Sequence, residues 1–404
     1  MKNSNFSKYL LAIFLVLGIS DIETYVGFPL YDEQKYVLLI LTSLAVAFSR
    51  VQIPLLCCGI LFFFSFPYLA EYANYEKTLI YSFAFPLCLL VLVGSLNTCG
   101  KSFTFLLLSF LLIPLVYNGT GQPYFDILSF IIIDNTAMLG MVMSIITGIV
   151  FLFITLGVLL LNTGLVDIIV QYILRYIKSP ARIAIASSAV FGSISGSAVA
   201  NVMSTGQVTI PLMIKCGYSK RLAGAYEAVA STGGQLLPPI MGAAAFLMAE
   251  LLVVSYWTIV WYATIPALCF YGLMLLSAPK GEVDTNPVKV KLRLPDFKKT
   301  VLQIVDAMYG MIILGAGIGL MIGIMDQTGL IYLVTGFLSK LSMGSPVALL
   351  VMTAFLCIIL GMGMPTGAAY LVVAIVTTPS LIEVGFAEIW AHMFVLYFAT
   401  LSMI

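Results

Sequence analysis

Long apolar runs alternate with short polar breaks along the chain, and no run shows period-two alternation. Continuous runs predict transmembrane α-helices and exclude a transmembrane β-barrel, whose strands alternate outward apolar and inward polar residues. Segments of this kind fall at 9–20, 36–48, 51–70, 78–98 and 102–117, the first two short for full crossings. A polar break at 118–126 precedes apolar runs at 137–161 and, further on, 254–276. Two crossings need about 40 apolar residues, more than the stretch between Arg182 and Lys215 supplies, and GSISGS interrupts it at 192–197. Residues 183–214 therefore read as a re-entrant helical hairpin with its tip at that Gly/Ser stretch. The run 222–252 carries STGGQLLPP at 231–239. Proline removes a backbone donor and clashes with the preceding turn, and paired glycines have little helix propensity, so two half-helices joined by an unwound link are predicted there.

Composition makes this a membrane protein as a whole. The 404 residues are 61% hydrophobic and 9% charged, with mean hydropathy +1.08, against about 25% charged in soluble domains. The fold class is an all-α polytopic membrane protein. The sparse charges then orient it. With a cytoplasmic N-terminus, Asp21, Glu23, Asp32 and Glu33 fall outside, Arg50 inside, Glu71 and Glu76 outside and Lys101 inside, with Lys35 and Lys77 as exceptions. Arg175, Lys178, Arg182, Lys215, Lys220 and Arg221 fall on the cytoplasmic side. Lys2 and Lys8 before an apolar stretch, with no small-x-small site after it, predict a retained signal-anchor. Residues 280–299 hold six Lys or Arg against three acids and read as a cytoplasmic linker. The organisation is N-terminal helices at 1–117, a first repeat at 118–279, the linker at 280–299 and a second repeat at 300–404. The seven cysteines lack metal-like spacing and read as small core hydrophobes.

The repeat is visible as self-similarity. TGL at 163–165 recurs at 328–330, SP at 179–180 recurs at 345–346, and VTIPLMIKCGY at 208–218 recurs as VTTPSLIEVGF at 376–386. The tip at 192–197 has its counterpart at 361–367. Lys215 is matched by Glu383, so the second copy is expected upside down, with a crossing at 301–325, a hairpin at 347–382 and a crossing from 389. Inverted repeats with broken helices characterise secondary transporters, where half-helix ends and freed carbonyls bind substrate and coupling ion. Gly192 with Gly196, and Gly315 with Gly319 and Gly323, also have the spacing of close helix packing. Adding 168 to Pro238 and Pro239 gives positions beyond Ile404, so the second unwound link is expected to be incomplete.

FGSISGSAVAN at 191–201, TIPLM at 209–213, EAVASTGGQ at 227–235, PPIMGAAAF at 238–246, LGMGMPT at 360–366 and AHMF at 391–394 resemble the large membrane subunit of tripartite ATP-independent periplasmic (TRAP) transporters. The form is that of fused permeases paired with TAXI-type binding proteins, here shortened and C-terminally truncated. The resemblance implies an elevator-type, sodium-coupled importer of small organic anions (carboxylates) in a bacterial or archaeal cytoplasmic membrane, fed by an extracytoplasmic binding protein. It implies no cofactor beyond sodium and no nucleic-acid partner. Sodium prefers oxygen ligands, and the candidates are Ser193, Ser195, Ser197 and Asn201 with Ser231, Thr232, Gly233, Gly234 and Gln235 for one ion. Gly361, Gly363, Met364 and Thr366 are the candidates for another, and Pro238, Pro239 and Pro365 form the structural clips. Helix N-termini at the tips suit a substrate carboxylate. Glu227 is expected to pair with Lys220 or Arg221, with a proton or ion relay as the alternative, Asp306 and Asp326 to be interfacial, and His392, the single histidine, to be packed within a helix bundle.

One histidine excludes a clustered-histidine metalloprotease, and neither a Gly-x-Ser-x-Gly elbow nor a phosphate-binding loop is present. The remaining alternatives are a self-contained organic-anion carrier working without a binding protein, and an inactive permease fragment.

Overall fold

The computed structural model describes residues 3–20, 31–48, 52–71, 77–134, 136–164, 168, 172–173, 176–279, 294–362 and 366–403. Asp21, Glu23, Arg50, Glu76, Arg175, linker residues 280–293 and the predicted site residues Gly363, Met364 and Pro365 lie outside them. The described residues form helices and no strands.

Helices α1 (Asn3–Ser20), α2 (Asp32–Ala47), α3 (Gln52–Glu71), α4 (Lys77–Thr98) and α5 (Lys101–Val116) coincide with the five N-terminal apolar segments. Next comes α6 (Tyr124–Ile133), which the sequence reading missed. Pro123 at its N-cap and Asp126 in its first turn make its start look like part of the polar break. Helix α7 (Met141–Asn162) contains a π-helical turn at Ile146–Val150. After it, α8 (Pro180–Ser195) and α9 (Ala198–Lys215) form a hairpin. The run after that is broken into α10 (Lys220–Gly233) and α11 (Ala243–Leu251), followed by α12 (Tyr256–Ser277). Helix α13 (Phe297–Thr328) begins inside the stretch read as linker, because Asp296 caps Lys298 and Lys299. A second missed helix, α14 (Leu330–Leu341), is too short to register as a crossing. The chain ends in α15 (Pro346–Gly361), α16 (Thr366–Glu383) and α17 (Glu388–Leu401). Among the described residues, α7, α12, α13 and α16 are long and apolar enough to cross a membrane.

The two repeats match helix for helix. Helices α8, α9 and α10 have 16, 18 and 14 residues, as do α15, α16 and α17. Ser179 and Ser345 are N-caps with proline at the first helical position, which tolerates a missing N–H. In each trio every helix packs on the other two. The turns after α9 and α16 close identically: Tyr218 N–H donates to the Met213 carbonyl, and Phe386 N–H to the Leu381 carbonyl, both at 3.1 Å.

Helix α13 is the axis of the remainder. It packs against α1, α2, α4, α5, α6, α7, α14 and α16, and Lys8 of α1 pairs with Asp306 on it. Small residues let the neighbours approach: a Cβ on Gly319 would lie 2.7 Å from the Ala137 carbonyl oxygen and 2.8 Å from Met138 Cα, whereas one on Gly315 would meet the tip of the Ile146 side chain. The polar break after α5 serves this helix, since Gly119 N–H donates to the Thr328 carbonyl at 3.0 Å and Thr120 Oγ1 to the Gln327 carbonyl at 2.5 Å. These bonds satisfy terminal carbonyls that the helix itself cannot. Gly319→Ala is expected to cost about 1–3 kcal/mol, and Gly315→Ala less, because a side-chain tip yields where backbone does not. Thermal unfolding of the detergent-purified protein checks the order; equal losses would show that backbone contact is not the cause.

Candidate functional site

Hairpin α8–α9 turns in two residues. Gly196 ends α8 in the left-handed region, φ 63°, which glycine adopts without a Cβ penalty, and Ser197 caps α9 by accepting from Ala200 N–H at 3.3 Å. The tip is held against the link between α10 and α11. Ile240 N–H donates to the Ser193 carbonyl at 3.1 Å, and a Cβ on Gly196 would run into the Met241 carbonyl oxygen. Gly192 and Gly234 meet backbone to backbone, a Cβ on Gly192 falling 2.6 Å from Gly234 Cα. Residues 235–242 then close on themselves through Gly242 N–H to the Gln235 carbonyl at 2.8 Å. Tyr256, stacked on Phe246 at 4.3 Å, donates to the Ile240 carbonyl at 2.5 Å and braces the link from α12.

The second repeat reproduces this contact. Gly361 sits under Ser402, so close that a Cβ on it would collide with the Ser402 side chain. Ser402 lies 168 residues beyond Gly234. As Gln235 N–H donates to the Thr232 carbonyl at 3.2 Å, so Met403 N–H donates to that of Thr400 at 3.2 Å. The second repeat thus makes the same turn at the end of α17. Thr366, at the start of α16, joins the halves: its Oγ1 donates to Gln235 Oε1 at 2.7 Å and lies 3.0 Å from Met403 Sδ.

Between these elements is a cavity of about 470 Å³. Ser197, Gln235, Thr366 and Ser402 give it polar atoms, and Cys99, in the turn after α4, with Met311 and Leu314 of α13 forms an apolar wall. Among the described residues, no charged one lines it. The first turns of α9 and α16 reach it and bring the positive ends of two helices to its wall. A second cavity of about 430 Å³ lies across the tip, with Ser195, Ser197 and Met241 on its wall.

The chain matches the family model "Tripartite ATP-independent periplasmic transporter, DctM component" over residues 85–316 and 285–404. The chain belongs to the DctM family of TRAP permeases. No protein of curated function matches it. The matched region of this DctM chain starts inside α4 and takes in both hairpins, both broken-helix positions and α13.

The predicted site residues of the permease separate into three groups. Ser197, Gln235 and Thr366 line the main cavity, and Ser195 the neighbouring one. Gly361 is packed under Ser402, Gly234 on Gly192, and Gly233 against the ring of Phe270, while Ser193 Oγ donates to the Val190 carbonyl at 3.0 Å and Thr232 Oγ1 to that of Ala228 at 2.9 Å. Asn201 and Ser231 point away from the cavity into the interior of the first repeat: Asn201 Nδ2 donates to the Ser188 carbonyl at 2.7 Å, and Ser231 Oγ to Glu227 at 3.3 Å. Pro238 and Pro239 stand in the link, joined by a cis peptide. Sequence reasoning missed Ser402 and Met403, which adding 168 to Gly234 and Gln235 would have found.

The charge readings divide in the same way. Glu227 pairs with neither Lys220 nor Arg221: it is fully buried, while both cations are exposed on the first turn of α10. Close to two helical turns separate them, and the carboxyl is instead met by hydroxyls from α8 and α9. His392 is packed as expected, its Nδ1 2.7 Å from the buried Tyr370 hydroxyl.

Proposed function

We propose that this permease component takes a small organic anion, a carboxylate, through the cavity between the two hairpin tips, coupled to sodium and supplied by a TAXI-type extracytoplasmic binding protein. The observation that carries this reading is the Thr366–Gln235 bond, which ties the second hairpin to the first broken helix at the cavity wall. Two helix N-termini at one uncharged cavity favour a carboxylate over a cation. The opposite ends of α8, α10 and α17 bring helix C-termini and their carbonyls to the same place, the hard oxygen ligands that sodium takes. The placing of the cavity between the hairpin tips and the apolar wall of Cys99 and α13 favours an elevator motion, hairpins and half-helices sliding together past that wall.

Uptake by proteoliposomes tests it. With an inward sodium gradient and a TAXI-type binding protein loaded with small labelled carboxylates, uptake is expected, and it falls to background when either sodium or the binding protein is left out. Uptake of free substrate at the same rate without the binding protein would establish the self-contained carrier instead, and uptake indifferent to sodium would remove sodium as the coupling ion.

A further inference from the structure

The second cavity, across the tip of hairpin α8–α9, has no part in holding a bare carboxylate. It measures about 430 Å³, and its polar side chains are Ser195 and Ser197 at the tip. The far side is apolar, with Phe153, Ile154, Val158 and Leu161 of α7 and Ala307 of α13 on the wall. Among the described residues, no charged one lines it.

This space is continuous with the main cavity. Gly196, Ser197, Val199, Ala243 and Met311 line both, so the two adjoin at the tip. Polar atoms are unequally shared: Gln235, Thr366 and Ser402 stand on the first side only. Together the two cavities make one site with a polar end and an apolar end, the make-up of a pocket for an amphipathic small molecule.

The apolar end is shaped by α7. Its π-helical turn at Ile146–Val150 ends on Val150, which lines the cavity, and such turns are frequent at functional sites. One helical turn further along, Phe153 stacks on Phe246 at 4.3 Å, and Phe246 in turn on Tyr256 at 4.3 Å. This part of the wall is therefore fixed by the same ring that braces the link. At Gly157 the helix comes close to the tip, where a Cβ would stand 2.9 Å from the Ile194 carbonyl oxygen.

Such a space takes hydrocarbon and rejects charge. A second carboxylate placed there would lose its hydration with too few donors to replace it, and the hydroxyls of a sugar acid would be left unpaired in the same way. We infer that the substrate is a monocarboxylate with a hydrocarbon tail, its carboxylate beside Ser197, Gln235 and Thr366 and its tail between α7 and α13. This rests on the carboxylate reading of the main cavity. Acyl chains of the membrane would fill the apolar end as readily but make no use of the polar one, so the continuity of the two cavities favours the tail of a substrate.

Calorimetric binding of straight-chain monocarboxylates, acetate to decanoate, to the full chain in lipid nanodiscs tests this, with sodium present and empty nanodiscs subtracted for partition into lipid. Affinity is expected to rise about fourfold for each added methylene until the cavity is full, and the dicarboxylate of each length is expected to bind more weakly than the monocarboxylate. Ala307→Phe, which adds a ring to the apolar wall, should bring the plateau to shorter chains, and Ile154→Ala, which enlarges the space, to longer ones. A folding defect cannot move the plateau in both directions. Affinity independent of length, or dicarboxylates that bind as tightly as monocarboxylates, would overturn the tail site and leave the carboxylate site standing. Straight-chain alcohols that bind as tightly as the acids would also overturn it, because the apolar cavity would then be a place for membrane chains. Binding of none of the acids would remove the carboxylate reading, and the tail site with it.

Discussion

Gly192→Ala is expected to lower uptake on the order of 100-fold, the effect of about 1 Å of misplacement at a working site, and to destabilise the protein by about 1–3 kcal/mol. The new methyl would stand 2.6 Å from Gly234 Cα and 2.7 Å from Asn201 Nδ2. Neither can yield: one is backbone, and the other is fixed on the Ser188 carbonyl. Hairpin and link must therefore part, which stretches the Ile240–Ser193 bond and opens the cavity at Gly196. Gly234→Ala opposes the same contact from the other side and should behave alike, and the double variant should lose less than the sum because the gap has already opened. Gly272, with open space around its would-be Cβ, provides the comparison, and alanine there should leave uptake unchanged. Uptake rates and melting temperatures of the four variants decide it; strictly additive losses would mean that the two glycines do not work through their shared contact.

Thr366→Val removes the hydroxyl that bonds the second hairpin to the first broken helix. It leaves Gln235 Oε1 buried without its donor, a loss of about 1–3 kcal/mol, or about 5- to 150-fold in apparent affinity for substrate or ion. The isosteric methyl keeps the packing, so melting should fall by no more than this one unpaired oxygen accounts for, and affinity should fall with it. Thr366→Ser restores the hydroxyl and should restore most of the uptake. If valine is as active as threonine, the two halves do not communicate through this bond. Loss in both valine and serine variants would point to the threonine methyl.

Much of the fold is written in the sequence because the determinants are local. Ser179-Pro180 and Ser345-Pro346 start helices through cap chemistry that needs no distant partner. Gly217 and Gly385 turn the chain after α9 and α16 in left-handed conformations at φ 92° and 101°. The GGQLLPP stretch interrupts a run because of what glycine and proline do to their own backbone. Reading failed where local signals were ambiguous. Helix α6 opened on Pro123 and Asp126 and looked like a loop, and α14 was too short to count as a crossing.

The candidate site was legible as a set of segments and not as a set of side chains. Ser193, Ser195, Ser197 and Asn201 share one tip, yet only Ser197 reaches the main cavity. Successive helical positions point about 100° apart, so neighbours in a motif face different surroundings. Asn201 and Ser231 turn inward toward Glu227, and the carboxyl expected beside Lys220 or Arg221 is held by hydroxyls of two other helices.

By itself, the sequence determined the all-α membrane class, the two matched trios and the elements that break. It could do so because hydrophobic runs, caps and the 168-residue offset are properties of the chain read in order. Only the tertiary structure decided which tips meet, that Thr366 reaches Gln235, that α13 is the common packing surface, and that Glu227 is sealed among hydroxyls in one repeat while its counterpart is Val395. Those are contacts between residues far apart in the chain, fixed by close packing of helix on helix, and no local pattern encodes which side chain will face which.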